Sequence, residues 1–256
     1  MTVPVSSAIN ILIVAGAALL SAHLYFSGLN RRYRAFFLFM VFFTLQNTAF
    51  VVVASKSDAY QKFWVLTEPI EWLFYVWIVL ELYSLVLQDY QGLYTAGRWS
   101  LIVAVCLALL ASGFSLVVPS QATRQGHLMA YYYVAERAVY FSLVVFLLTM
   151  LALLMRYPIT LNRNVIVHSV VFSVYLLSNT AIFLLLSTRG FGAIRIAIFA
   201  TQAVNLGALG TWLAMLNKAG EQRRQRLHPA RLPGREEQLI GQLNSLNMAL
   251  MRAARN

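Results

Sequence analysis

Long apolar runs alternate with short polar breaks along the chain as far as residue 216. The runs are Ala8–Ser27, Ala35–Ala54, Phe63–Leu87, Trp99–Val118, Ala130–Met155, Val165–Ser187 and Ile194–Leu216. Each is close to the roughly 20 apolar residues that cross a bilayer core as a helix. The breaks read GLNRRYR, SKSDAYQK, DYQGLYTAGR, PSQATRQGH, RYPITLNRN and TRGFGAIR. Links of about 6–12 residues make consecutive helices antiparallel neighbours. No run alternates with period two, which argues against an outer-membrane barrel. No long internal repeat supports an inverted-repeat transporter. The pattern predicts an all-α bundle of seven transmembrane helices over residues 1–216, followed by a tail over 217–256.

The tail changes character twice. Asn217 to Gly234 is polar and basic and carries Pro229 and Pro233. Residues 235–255 then predict an amphipathic helix, with Glu236 and Glu237 in its first turn and Arg252 and Arg255 near its end, as the helix dipole favours. Leu239, Leu243, Leu246 and Leu250 are spaced four, three and four, a seam of about two heptads. The seam fits a homodimer or a partner protein, and the helix also fits the membrane surface.

Composition supports the membrane reading. Of 256 residues, 60% are hydrophobic and 11% charged, against about 25% charged in soluble domains. Mean hydropathy is +0.67. The net charge is +11, from 20 Lys and Arg against 9 Asp and Glu. These bases sit at helix ends and in the tail, where they set topology and meet anionic lipid, so no nucleic-acid partner is expected. Arg31, Arg32 and Arg34 follow the first apolar run, and the leader MTVPVSS has no positive region. That order predicts a retained first helix, with the N-terminus outside and the C-terminus in the cytoplasm. The lone cysteine, Cys106, permits no intrachain disulfide.

Ionisable groups within spans are costly and mark function. Four of the nine acids lie there: Glu68, Glu71, Glu81 and Glu136. Counting about 1.5 Å per residue, an outer set comprises Glu68, Glu71, Glu136, Arg137, Gln46, Asn47, Asn179, Gln202 and Asn205. Three acids and one base favour a cationic or amine-bearing ligand. Glu68 and Glu71 share a helical face, and Pro69 between them is expected to loosen that turn. The competing reading is a structural polar network. His23, Glu81 and His168 form an inner set about 6–10 Å from the cytoplasmic end. Its two histidines are the minimum for bis-His haem b, and with Glu81 they would make a three-ligand zinc site. The plainer expectation is no cofactor and no metal, each histidine bonding to a neighbouring helix. Ala203, Gly207, Gly210 and Ala214 line the seventh helix and predict close helix packing.

Other chemistries lack their residues. No Lys lies within a span to hold retinal, and there is no HExxH, GxSxG, ExxH or phosphate-binding glycine loop. A non-enzymatic protein is therefore expected.

The stretch Thr67–Leu93, TEPIEWLFYVWIVLELYSLVLQDYQGL, resembles a segment of an uncharacterised family of multi-pass membrane proteins from acidobacteria-type genomes. That resemblance implies a bacterial cytoplasmic (inner) membrane location and carries over no functional residue. Seven spans followed by a helical tail are also loosely similar to the sensor regions that precede bacterial histidine kinases. The leading expectation is a sensor or receptor-like protein that binds a small molecule or lipid in an outward-facing polar pocket and signals through tail contacts. The alternatives are a small transporter or proton-coupled carrier, and a haem-bearing or scaffold subunit of a membrane complex.

Overall fold

The computed structural model describes residues 3–52, 58–87, 90–115, 127–156, 160–189, 194–222, 224–226 and 233–253. Within the described residues, each of the seven apolar runs lies in a helix. They are α1 (Val3–Phe26), α2 (Arg34–Val52), α3 (Asp58–Val86), α4 (Gln91–Ser115), α5 (His127–Arg156), α6 (Arg163–Arg189) and α7 (Ile194–Met215). Among the described residues, five contain stretches long and apolar enough to cross a membrane: Ala8–Phe26, Arg34–Val52, Lys62–Val86, Arg163–Leu186 and Arg195–Met215. In α4 the apolar stretch within the described residues is the shorter Gly92–Leu107. The chain is thus helical and multi-pass in character.

The helices run up and down. α1 packs against α2 and α7, α7 against α6, α6 against α5, and α5 against α4, while α3 lies among α2, α5 and α6. Gly28 ends α1 in the left-handed region at φ 74°, a helix stop that a glycine adopts without strain. A short 3₁₀ turn, Leu29–Arg31, then leads into α2. α3 continues unbroken through Pro69.

Inward faces follow helical spacing. On α3 the buried positions are Thr67, Glu68, Glu71, Tyr75, Ile78, Val79, Leu82, Tyr83 and Val86. On α2 they include Phe36, Phe39, Met40, Phe43 and Gln46. Leu45, Leu66, Leu73, Leu148 and Val174 lie exposed on outer faces, as helices that are apolar all round require in lipid. The small residues of α7 also face outward. Ala203, Gly207, Gly210 and Ala214 are exposed, and among the described residues nothing lies within 4 Å of where a Cβ on Gly207 or Gly210 would sit. Among the described residues the expected close packing at that stripe is therefore not seen. The large Trp212, with Ala208, Leu209 and Leu216, fills the inner side instead.

The tail is more structured than its sequence suggests. A short helix α8 (Lys218–Gln222) precedes strand β2 (Arg224–Arg226), which pairs antiparallel with β1 (Thr160–Asn162), Leu161 opposite Gln225. This three-residue ribbon is a small exception to an otherwise helical fold. α9 (Pro233–Ala253) opens on a proline, which needs no N–H partner there. It packs against α4 of the same chain, with Leu243 3% exposed and Leu250 half-buried. The side chains of Leu239 and Leu246 lie outside the described residues.

Candidate functional site

α2, α3, α5 and α6 bury polar side chains towards the end away from the tail, and α6 also buries Asn164, His168, Ser169 and Ser173 from its tail-end start onwards. Gln46, Glu68, Glu71, Glu136 and Asn179 are each at most 9% exposed. Glu68 lies within electrostatic reach of Glu71 and Glu136, so the acids of α3 and α5 converge.

A shell of donors surrounds them. The Gln46 amide donates to the Thr67 hydroxyl at 3.1 Å and to Glu71 Oε2 at 3.4 Å. The Tyr75 hydroxyl donates to Glu71 Oε1. Tyr75 and Tyr175 hydroxyls lie 3.0 Å apart. Tyr140 donates to Glu136 Oε1 at 3.0 Å, and the Trp64 indole bonds to Glu68. The Tyr75 ring meets Tyr140 edge-on at 5.4 Å and lies 6.1 Å from Tyr175. Glu71 is thus held by an amide and a phenol, Glu136 by a phenol and Glu68 by an indole.

Not every predicted member joins. Asn179 returns its amide to the Tyr175 carbonyl at 2.9 Å, and Asn47 returns its amide to the Phe43 carbonyl at 2.8 Å, each on its own helix. Gln202 donates to Asn10 at 2.8 Å, tying α7 to α1, and no hydrogen bond described links Asn205 to the acids. Arg137 is half-buried beside Glu136.

The inner set separates into three roles. His23 donates from Nε2 to the Leu216 carbonyl at 2.9 Å, joining α1 to α7. Glu81 accepts from the Ala35 and Phe36 amides at 2.9 and 3.4 Å, capping the first turn of α2. His168 is fully buried among Tyr33, Phe36, Phe172 and Trp212, its ring centroid 4.2 Å from that of Phe36. To ligate a haem with His23, His168 would have to leave this enclosure, so the arrangement does not fit a haem b held between the two. Among the described residues no three His, Cys, Asp or Glu are grouped to hold a metal, so the zinc reading fails there.

Two polar centres at the tail end were not foreseen from the sequence. Glu221 of α8 forms an ion pair with Arg32, Nε to Oε1 at 2.7 Å, and accepts from the Asn162 amide at 2.7 Å, the Asn164 amide at 3.2 Å and the Tyr33 hydroxyl at 3.0 Å. Burial first, and then the Glu221 carboxylate, push the Tyr33 hydroxyl well above the ordinary tyrosine range. Asn247 of α9 accepts the Gly92 and Leu93 amides at 2.7 and 3.3 Å, capping α4. The first turns of α2 and α4 both point towards the tail end, and each is closed by a side chain from another helix. No family model matches the chain, and neither the curated proteins nor the solved structures yield a match.

Proposed function

We propose that the chain is a non-enzymatic, sensor- or receptor-like protein of the bacterial inner membrane that binds a compact organic cation between α3 and α5. In this reading all seven helices span the bilayer, the N-terminus is outside, and the carboxyl site opens outward. The observation that carries it is the convergence of Glu68, Glu71 and Glu136 in one buried place. Acids brought together out of water favour a positive partner, and phenol rings stabilise a desolvated ammonium further. Tyr75, Tyr140 and Tyr175 supply those rings. The test is thermal melting of detergent-purified protein against a panel of primary and quaternary amines. A cation of the right size raises the parent Tm and leaves Glu71→Gln unmoved. A panel without any effect on the parent removes the reading.

A second reading, a proton-coupled carrier, draws on the Tyr75 hydroxyl, which contacts both Glu71 and Tyr175 and so continues proton-bearing groups from α3 to α6. Cation-dependent proton flux in liposomes would favour it, and loss of that flux in Glu136→Gln would locate the path.

A further inference from the structure

One side chain, Tyr83, stands on the helix of the carboxyl site and at the first turn of α4, where the tail docks. It lies on α3, 12 positions beyond Glu71 and about 18 Å along the helix. Its hydroxyl donates to the Leu93 carbonyl in the first turn of α4 at 2.8 Å. Its ring stacks on Tyr94 of α4 at 6.1 Å and packs on Phe146 of α5 at 5.0 Å. Of the two helices that carry the acids, α3 therefore bears this ring and α5 touches it. The Leu93 carbonyl is held by Tyr83, while the Leu93 amide is held by Asn247 of the tail helix.

Two glycines make these contacts possible. A Cβ on Gly97 would overlap the Tyr83 ring and hydroxyl. A Cβ on Gly92 would overlap the Asn247 carbonyl and side-chain oxygen. Neither glycine is needed for a turn, since both lie inside α4. They serve close approach by α3 on one side and by the tail on the other.

We propose that Tyr83 is a positioning residue that couples the state of the Glu68–Glu71–Glu136 site to the docking of α9 on α4. A shift of α3 against α5 moves the Tyr83 ring, which moves the first turn of α4. That turn keeps Asn247 only while the Gly92 and Leu93 amides stay aligned. The inference rests on reading the three acids as the ligand site, and it names how occupancy would reach the tail. Coupling of this kind requires a packed element with two arrangements, and here the first turn of α4 is that element.

The test is hydrogen exchange at the Gly92 and Leu93 amides of the full chain in lipid nanodiscs, without ligand. Asn247→Ala raises exchange there about fivefold, the loss of one side-chain cap, and Asn247→Asp keeps it slow. Glu71→Gln, which turns an acceptor into a donor opposite Gln46, changes exchange at the same two amides by about threefold. That change disappears in Tyr83→Phe. Should Tyr83→Phe fail to fold, reciprocity supplies the second readout. Gly92→Ala, which displaces Asn247 and leaves Tyr83 intact, must then alter protection of the α3 turn holding Glu68 and Glu71. Exchange at Gly92 and Leu93 that ignores Glu71→Gln overturns the coupling, even if amines stabilise the parent. An amine panel without effect, beside intact coupling, would overturn only the ligand reading. Asn247→Ala without effect overturns the docking itself.

Discussion

Tyr140 donates its hydroxyl to Glu136 one turn earlier on α5, at 3.0 Å, and the pair Glu71 and Tyr75 repeats that four-residue spacing on α3. Each acid thus carries its own phenol donor, which holds the carboxyl oxygen in a fixed direction. Tyr140→Phe removes that donor and leaves the ring in place. It should lower stability by about 1–2 kcal/mol, the cost of an unmatched buried acceptor, read as a fall in Tm. An unchanged Tm would mean that Glu136 has another partner of equal strength.

Glu221 is the more costly residue to remove. Its carboxylate accepts from Tyr33, Asn162 and Asn164, pairs with Arg32, and joins the loop before α2, strand β1, helix α6 and the tail. Isolated surface ion pairs contribute little, but Glu221 is only 16% exposed and serves several donors at once. Glu221→Ala should cost about 2–4 kcal/mol, measured by denaturation in mild detergent, with earlier proteolysis of the tail. A loss under half a kilocalorie would place this network among the inert surface contacts.

Tyr33 gives the same network a pH signature. Its folded hydroxyl holds its proton above the ordinary value of 10.0, so its contribution is complete below about pH 10 and is lost as pH rises further. Melting curves between about pH 9 and pH 11 should fall more steeply for the parent than for Tyr33→Phe, which has no proton to lose. Parallel slopes would contradict the buried, Glu221-bonded hydroxyl.

His168 makes the opposite prediction. Its ring nitrogens have no hydrogen-bond partner among the described residues, and aromatic rings surround it. Exchanging a buried, unpartnered polar ring for an apolar one of similar shape is neutral or stabilising. His168→Phe should therefore keep or raise the Tm of the purified protein. A fall of several degrees would show that the imidazole has a polar partner.

The sequence displayed the helices clearly and their rotation poorly. Apolar runs and charged breaks locate α1 to α7 because lipid demands long, uninterrupted apolar helices. The same demand erases the contrast between inner and outer faces, so Asn47, Asn179 and Gln202 could be assigned a depth but no direction. Glu68, Glu71 and Glu136 were legible because a buried acid is rare in a span. Tyr75, Tyr140 and Tyr175 were missed among the chain's 13 tyrosines. The repeated Glu-to-Tyr spacing of four was a usable signal for Tyr75 and Tyr140. Glu221 and Asn247 had no such signal. Each sits in a polar stretch, and its partners are distant in sequence, on loops and helix starts that only the folded chain brings near. The outward small-residue stripe of α7 misled for a related reason: spacing shows that four small residues share a face, not which way that face turns.

On the proposed function, Glu68, Glu71 and Glu136 together bind a positive charge. The most direct measurement compares one quaternary amine with its neutral carbon isostere, equal in shape, by melting of the parent protein and of Glu136→Gln. Tm should rise with the cation, not with the isostere, and with neither in Glu136→Gln. Equal stabilisation by cation and isostere, or a cation effect that survives Glu136→Gln, would contradict it.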